Sequence, residues 1–344
     1  MSDERPVSLE FTRTEIASPS GRVCSLVWRG DELVDWVAGG RVFALDGSMR
    51  ERPVHYSYRF DAAVGSPSGR YSVIYERCGT KGLLLREGQI VRELNRSFYY
   101  ADVYEYPVCL FALSDGREVI AHCPEEYCDA VIEDAETGER LTAPQTGDRQ
   151  SLFHSRLAAS PCGQFLLTAG WVWHPCDVVW VWELRRRTGG LIEFHNLDGE
   201  YLGDRAVASS SFGEGGRVLV STARDSESFA NERSEAVRLD AMALGSWDLA
   251  TSRWLFRTTV PEEAGTLMPV GDRLAVGFYE HPKLFDLATG QVVQRWPDLH
   301  TGRQLSSIIH HLKPEDVPPP MALDSSRRRF AVAQDRRITV IQFK

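Results

Sequence analysis

The chain has 344 residues, 43% of them hydrophobic and 25% charged, ordinary values for a globular protein with room for a sizeable core. A net charge of −9 argues against the basic face that a DNA- or RNA-binding protein needs to displace counterions. No window approaches the ~20 apolar residues of a membrane span, and the opening "MSDERPVSLEF" lacks the apolar core of a signal peptide.

In chain order, "VSLEFTRTEI" at 7–16 has strand composition. "SPSGR" follows at 18–22 and returns at 66–70 inside "AAVGSPSGRYSVIY". The same phrase recurs as "LFALSDGREVIAH" (110–122), "RLAASPCGQFLLTAG" (156–170), "SSSFGEGGRVLVST" (209–222), "LMPVGDRLAVGF" (267–278) and "MALDSSRRRFAVAQ" (321–334). Each copy is a short apolar run, a tight polar turn and a second apolar run. The apolar runs are too short for helices and suit buried strands. Proline presets φ in such a turn and glycine accepts positive φ. Counted from Ser66, Ser114, Ser160, Gly213, Gly271 and Ser325, the turns are spaced 48, 46, 53, 58 and 54 residues apart.

A second phrase falls between these turns: "VWELRRRTGGLIEF" (181–194), "GSWDLATSRWLFRT" (245–258) and "LFDLATGQVVQRW" (284–296). Each unit therefore reads strand A, turn, strand B, loop, strand C, turn, strand D. Four antiparallel strands repeated every 40–60 residues predict an all-β, seven-bladed β-propeller. The Trp-Asp-Leu phrases resemble the C–D hairpins of WD40-type propellers, over nearly the whole chain but in degenerate form. Only Trp247-Asp248 spells the dipeptide, and the Gly-His pair that opens many such repeats is absent.

The expected organisation is one domain over 1–344, with blades at about 22–56, 58–96, 98–143, 153–195, 204–259, 264–297 and 319–343. The last has only three strands, so 7–16 is expected to supply its fourth and close the ring. "SPSGR" at 18–22 offers a competing A–B turn that would shift the first blade. "QLSSIIHHL" at 304–312 is compatible with a short helix ended by Pro314.

The A–B and C–D turns are short, whereas the B–C and D–A loops are long and chemically loaded. Function is expected on the second set, because a rigid scaffold presents its loops. "NRSFYYADVYEYP" (95–107) carries Phe98, Tyr99, Tyr100, Tyr104 and Tyr106. "GWVWHPCD" (170–177) carries Trp171, Trp173 and His174, and "YEHP" (279–282) carries Tyr279 and His281. Exposed Tyr and Trp suit protein recognition, although alternate rings of 98–106 would equally pack inward between blades. Trp180, Trp182, Trp247 and Trp254 lie within strands and are assigned to the core. The insertion at 222–241 reads as a recognition loop or a disordered one. His310 and His311 read as solvated. The arginine runs at 185–187 and 327–329 read as turns in water.

The seven cysteines are odd in number and scattered, which favours free thiols in a reducing cytoplasm. His122, Cys123 and Cys128, together with His174 and Cys176, are a weak metal-ligand set, since their spacing matches no established zinc pattern. There is no nucleophile elbow, phosphate-binding glycine loop or Ser-x-Asp-x-Gly-x-x-Trp box, and no cofactor motif. A propeller enzyme or small-ligand binder would draw on Asp225, Glu280 and His281 around a central channel. The favoured expectation is a non-catalytic module, monomeric when free, that binds a protein or peptide on the loop-rich face. A metal-stabilised Cys/His sensor is a further alternative.

Overall fold

A computed structural model describes residues 9–143, 151–173, 176–187, 190–197, 207–224 and 239–344. Among them 28 strands form seven antiparallel sheets, with no helix. This is the strand pattern of an all-β, seven-bladed β-propeller.

The strands group blade by blade. β1 (Phe11–Ala17) stands before the first blade. β2 (Val27–Arg29), β3 (Glu32–Asp35), β4 (Arg41–Ala44) and β5 (Met49–Arg50) make blade one. β6 (Ala62–Gly65), β7 (Tyr71–Tyr75), β8 (Lys81–Arg86) and β9 (Gln89–Asn95) make blade two. Blade three has three strands, β10 (Val108–Ala112), β11 (Glu118–His122) and β12 (Val131–Asp134). Its fourth is reduced to a bridge between Glu133 and Arg140.

Blade four has five strands, because β13 (Leu152–Phe153) and β14 (Ala158–Ala159) both pair with β15 (Phe165–Val172), followed by β16 (Cys176–Arg186) and β17 (Ile192–Asn196). β18 (Val207–Phe212), β19 (Arg217–Thr222), β20 (Ala243–Asp248) and β21 (Arg253–Thr259) make blade five. β22 (Leu267–Val270), β23 (Leu274–Gly277), β24 (Lys283–Asp286) and β25 (Val292–Arg295) make blade six. In blade seven, β26 (Met321–Asp324), β27 (Arg329–Gln334) and β28 (Arg337–Phe343) are completed by β1. β1 runs antiparallel to β28 from Phe11 opposite Phe343 to Ala17 opposite Arg337.

The chain divides into two compact units. One holds the described residues of Met1–Ala17, Gly203–Leu305 and Leu312–Lys344, and the other those of Ser18–Leu202 and Ser306–His311. In the first, Trp296, Phe330, Phe343 and Phe278 pack blades six and seven together, with the Phe11 ring 5.2 Å from Trp296. In the second, Val27, Trp36, Val42, Ile74 and Leu85 join blades one and two, and Tyr71, Val73, Leu84, Val108 and Ile120 join two and three. Each fully buried Leu, Ile or Phe contributes about 1.5–3 kcal/mol by leaving water.

Two repeated turns explain why these hairpins form. In "SPSG" and "SPCG" the Gly69 and Gly163 N–H groups donate to the Ser66 and Ser160 carbonyls, both at 2.9 Å. The serine hydroxyls accept from the N–H of Tyr71 (3.1 Å) and Phe165 (3.0 Å). In the C–D turns one aspartate oxygen accepts two successive N–H groups. Asp134 takes those of Glu136 and Thr137, Asp248 those of Ala250 and Thr251, and Asp286 those of Ala288 and Thr289, all between 2.8 and 3.3 Å. The aspartate of the repeated phrase thus makes an Asx-type cap that starts the turn.

Four residues after each aspartate the backbone turns left-handed, with φ of 76° at Gly138, 71° at Gly290 and 52° at Ser252. The serine bears a steric cost its glycine counterparts escape. Ser252→Gly is therefore expected to stabilise the protein by about 0.5–1 kcal/mol, measured by urea denaturation; a loss of stability would contradict this account of the turn.

One open reading resolves and two expectations change. The A–B hairpin of blade one turns at Gly30 and Asp31, so the competing "SPSGR" at 18–22 is a turn after β1, its Gly21 N–H reaching the Ser18 carbonyl. Residues 304–312 are not helical. Their backbone is drawn into a bridge between Ile308 and Tyr104, with the Glu105 N–H donating to the Ser307 carbonyl at 3.1 Å. Trp254 is half-buried because β21 alternates exposed and half-buried along its length, and Trp247 opposite it at the end of β20 is half-buried too, the two rings packing edge to face at 5.0 Å; Trp180 and Trp182 are buried as expected.

Candidate functional site

A cluster of aromatic residues lies in the second unit, where four segments, around 97–107, Tyr127, Phe153 and 171–173, meet. The segment 97–107 leaves β9 in two successive turns, in which Ala101 N–H donates to the Phe98 carbonyl (3.1 Å) and Val103 N–H to that of Tyr100 (2.9 Å). Tyr100 itself is left-handed, with φ of 54°. Such a conformation in a bulky residue costs about 1–3 kcal/mol and persists only where surroundings hold it.

What holds it is Arg96. Its guanidinium is buried and donates to four carbonyls, those of Ala101 (2.6 Å), Gly79 (2.7 Å), Tyr104 (3.0 Å) and Glu105 (3.4 Å). It also lies 4.7 Å from the Tyr104 ring centroid and 5.0 Å from that of Tyr106, which adds cation–π attraction. Burial lowers its pKa from the ordinary value.

Phe153 lies at the centre of the rings. It stacks on Trp171 at 3.8 Å and 7° and on Tyr127 at 4.1 Å and 21°, and Tyr104 meets it edge-on at 5.6 Å. Over this foundation Tyr99, Tyr100 and Trp173 contact one another edge to face, at 4.9, 5.2 and 6.4 Å. Trp173 is 40% exposed, Tyr100 42%, Tyr99 46% and Phe98 85%. Large rings thus face water beside one another on a packed base.

The expected site residues separate into two roles. Tyr99, Tyr100 and Trp173 are exposed, whereas Tyr104, Tyr106 and Trp171 are enclosed at 1–3% exposure and cannot offer area to a partner. The enclosed rings differ from expectation because Arg96 draws Tyr104 and Tyr106 beneath it and Phe153 covers Trp171. His174 lies outside the described residues. Tyr279 and His281 belong to the first unit. There the Tyr279 carbonyl accepts from Lys283 Nζ at 2.7 Å, and burial and then the Lys283 charge lower the pKa of His281. Glu280 pairs with Arg303 at 3.0 Å, and Asp225 falls outside the described residues with most of 222–241.

Phe153, Tyr127 and Arg96 were not singled out in the sequence. Phe153 reads as an ordinary strand residue in "SLFHS", and a lone arginine in "NRSFYY" reads as solvated. Their one signal is a run of aromatic residues following Arg96.

Among the described residues no three His, Cys, Asp or Glu side chains are grouped to hold a metal ion. His122 Nε2 lies 3.3 Å from a Glu133 oxygen that also accepts from Arg92 at 2.9 Å. Cys123 is buried, which raises its thiol pKa well above the ordinary value, and none of the seven cysteines forms a disulfide. A polar hollow of about 420 Å³ lies beside the A–B turns of blades three and four, lined by residues including Ser114, Gln164, Glu183, Arg185 and Arg186. Its arginines are paired, Arg186 with Asp115 and Arg185 with Glu183, both at 2.7 Å, so it offers little to an anion.

Asp177 stands opposite Trp171 in the β15–β16 ladder. Burial pushes its carboxyl up to about 7, against weaker lowering by a Ser306 hydrogen bond and by Arg156. The folded pKa exceeds the unfolded one, so the folded state retains a proton that the unfolded state releases between about pH 4 and pH 7. The cost to stability grows over that window and levels off above it. Asp177→Asn should therefore be more stable than wild type at pH 8, by a few kcal/mol at most. That advantage should shrink toward pH 4 in parallel denaturant titrations; an advantage constant with pH would show that Asp177 is not the group responsible.

No family model matches the chain, and no curated protein matches it.

Proposed function

We propose that this chain is a WD40-like propeller that serves as a cytoplasmic, non-catalytic module. It binds another protein or a peptide segment through the rings of Phe98, Tyr99, Tyr100 and Trp173. The observation that carries this reading is the contrast between exposed rings and enclosed support. The exposed rings rest on Phe153, Trp171 and Tyr104, which are at most 2% exposed, so a partner meets a surface ordered in advance. Rigid aromatic anchors supply contact area at low entropic cost. Seven cysteines without a disulfide suit a reducing compartment.

The test is affinity capture from the host lysate with wild type and with a Tyr100→Ala/Trp173→Ala double variant, read by mass spectrometry. Truncating two central rings should weaken a specific partner by about 100-fold or more while leaving circular dichroism and melting unchanged. Equal capture by both proteins would reject the rings as the binding surface.

A further inference from the structure

We infer that the partner segment bound by this ring platform carries an arginine, stacked on an outer ring face and countered by Asp102 or Glu125. The inference rests on the platform reading above and adds the chemistry of the partner.

Two observations lead to it. The first is charge. Apart from the Phe153 strand, the rings lie in 97–105, 123–129 and 170–173, which contain Asp102, Glu105, Glu125, Glu126 and Asp129 and no Lys or Arg; the nearby Arg96 is buried on backbone carbonyls and Arg156 pairs with Glu105. Glu105 is matched by Arg156 at 3.5 Å and Asp129 by Arg140 at 3.6 Å. Asp102 and Glu125 are exposed and make no ion pair among the described residues. Glu125 is two residues from Tyr127, whose ring lies 5.1 Å from Tyr99, and Asp102 is two residues from Tyr100. Asp102 and Glu125 thus border the platform as exposed carboxylates with no ion-pair partner among the described residues, and a cationic partner complements them.

The second is ring geometry. An ammonium caged by aromatic rings needs a gap between them. Here Tyr99, Tyr100 and Trp173 fill one another's space edge to face, with centroids 4.9–6.4 Å apart. Each of the three residues is still 40–46% exposed, so ring surface is left to water on the outer side. A planar guanidinium stacks on such a surface and keeps its in-plane donors for a carboxylate at the rim, which a compact ammonium does less well.

Panning a random dodecapeptide phage library on the full-length protein and on its Trp173→Ala variant tests this. The expected result is enrichment of arginine-containing peptides on wild type and not on the variant. Binding of a selected synthetic peptide should fall about 10-fold when its arginine is replaced by lysine. It should fall by a similar factor on an Asp102→Asn/Glu125→Gln protein, and weaken with added salt. Enrichment of acidic or uncharged peptides that still requires Trp173 would overturn the inference and leave the platform reading standing. Arginine peptides indifferent to the Asp102/Glu125 change would overturn the assigned counter-ions. No Trp173-dependent enrichment at all would remove both the platform reading and this inference.

Discussion

Replacing Arg96 with methionine is expected to destabilise the protein by about 3–5 kcal/mol and to abolish the proposed partner binding in the same step. The side chain occupies similar volume, so the loss isolates the guanidinium rather than a cavity. Four carbonyls, of Gly79, Ala101, Tyr104 and Glu105, would lose their donor in a buried setting. Each such loss costs about 1–3 kcal/mol before relaxation. Tyr104 and Tyr106 would lose their cation, and nothing comparable would hold Tyr100 at φ of 54°. Arg96→Lys should fall between wild type and Arg96→Met, since an ammonium keeps the charge but cannot reach carbonyls on several sides. Urea denaturation supplies the stability, and hydrogen exchange across 97–104 reports whether the segment has loosened. A methionine variant within 1 kcal/mol of wild type would show that the loop holds itself.

The second large effect is expected at Asp35, the last residue of β3, beside the tight connection to β4. This carboxylate is fully buried and accepts from five donors. One oxygen takes the Ser25 N–H (2.9 Å), the Ser25 hydroxyl (3.0 Å) and the Ala38 N–H (3.1 Å). The other takes the Cys24 N–H (2.9 Å) and Arg41 Nη2 (2.7 Å). Asp35→Ala leaves these donors and a buried Arg41 charge without their acceptor, a change that costs about 3–5 kcal/mol. Asp35→Asn preserves shape but turns an amide donor toward other donors, so it should recover little. The companion Arg41→Met change tests the same network from the other side. If Asp35→Ala melts with wild type, the site is dispensable for the fold of blade one.

The hairpin repeat was legible because its turns carry local chemistry: Ser-Pro-x-Gly and Asp-x-x-Thr bond their own backbones, and short sequence windows contain every partner. The β1–β28 pairing was legible for a different reason, since a three-stranded last blade demands a strand from elsewhere. Blade three escaped the rule, because its fourth strand contracts to one bridge at Arg140. The ring cluster was half legible. The run at 98–106 advertised it, but period-two reasoning does not tell exposed rings from buried ones in a segment that turns twice and passes through a left-handed Tyr100. Phe153 and Tyr127 come from other loops, and only the fold brings them under Tyr99. Arg96 and Asp35 were silent, since a buried charge looks in sequence like any surface charge until its carbonyls or N–H groups are found around it.

The claim that the exposed rings are the working surface is tested most directly by hydrogen–deuterium exchange on the protein with and without its captured partner. Protection is predicted at 97–104 and 171–173, with 125–127 following, and little change at the A–B turns near 113–117 and 160–164. Protection confined to those turns, or its absence from 97–104 in a saturated complex, would contradict the account and move the binding surface away from the rings.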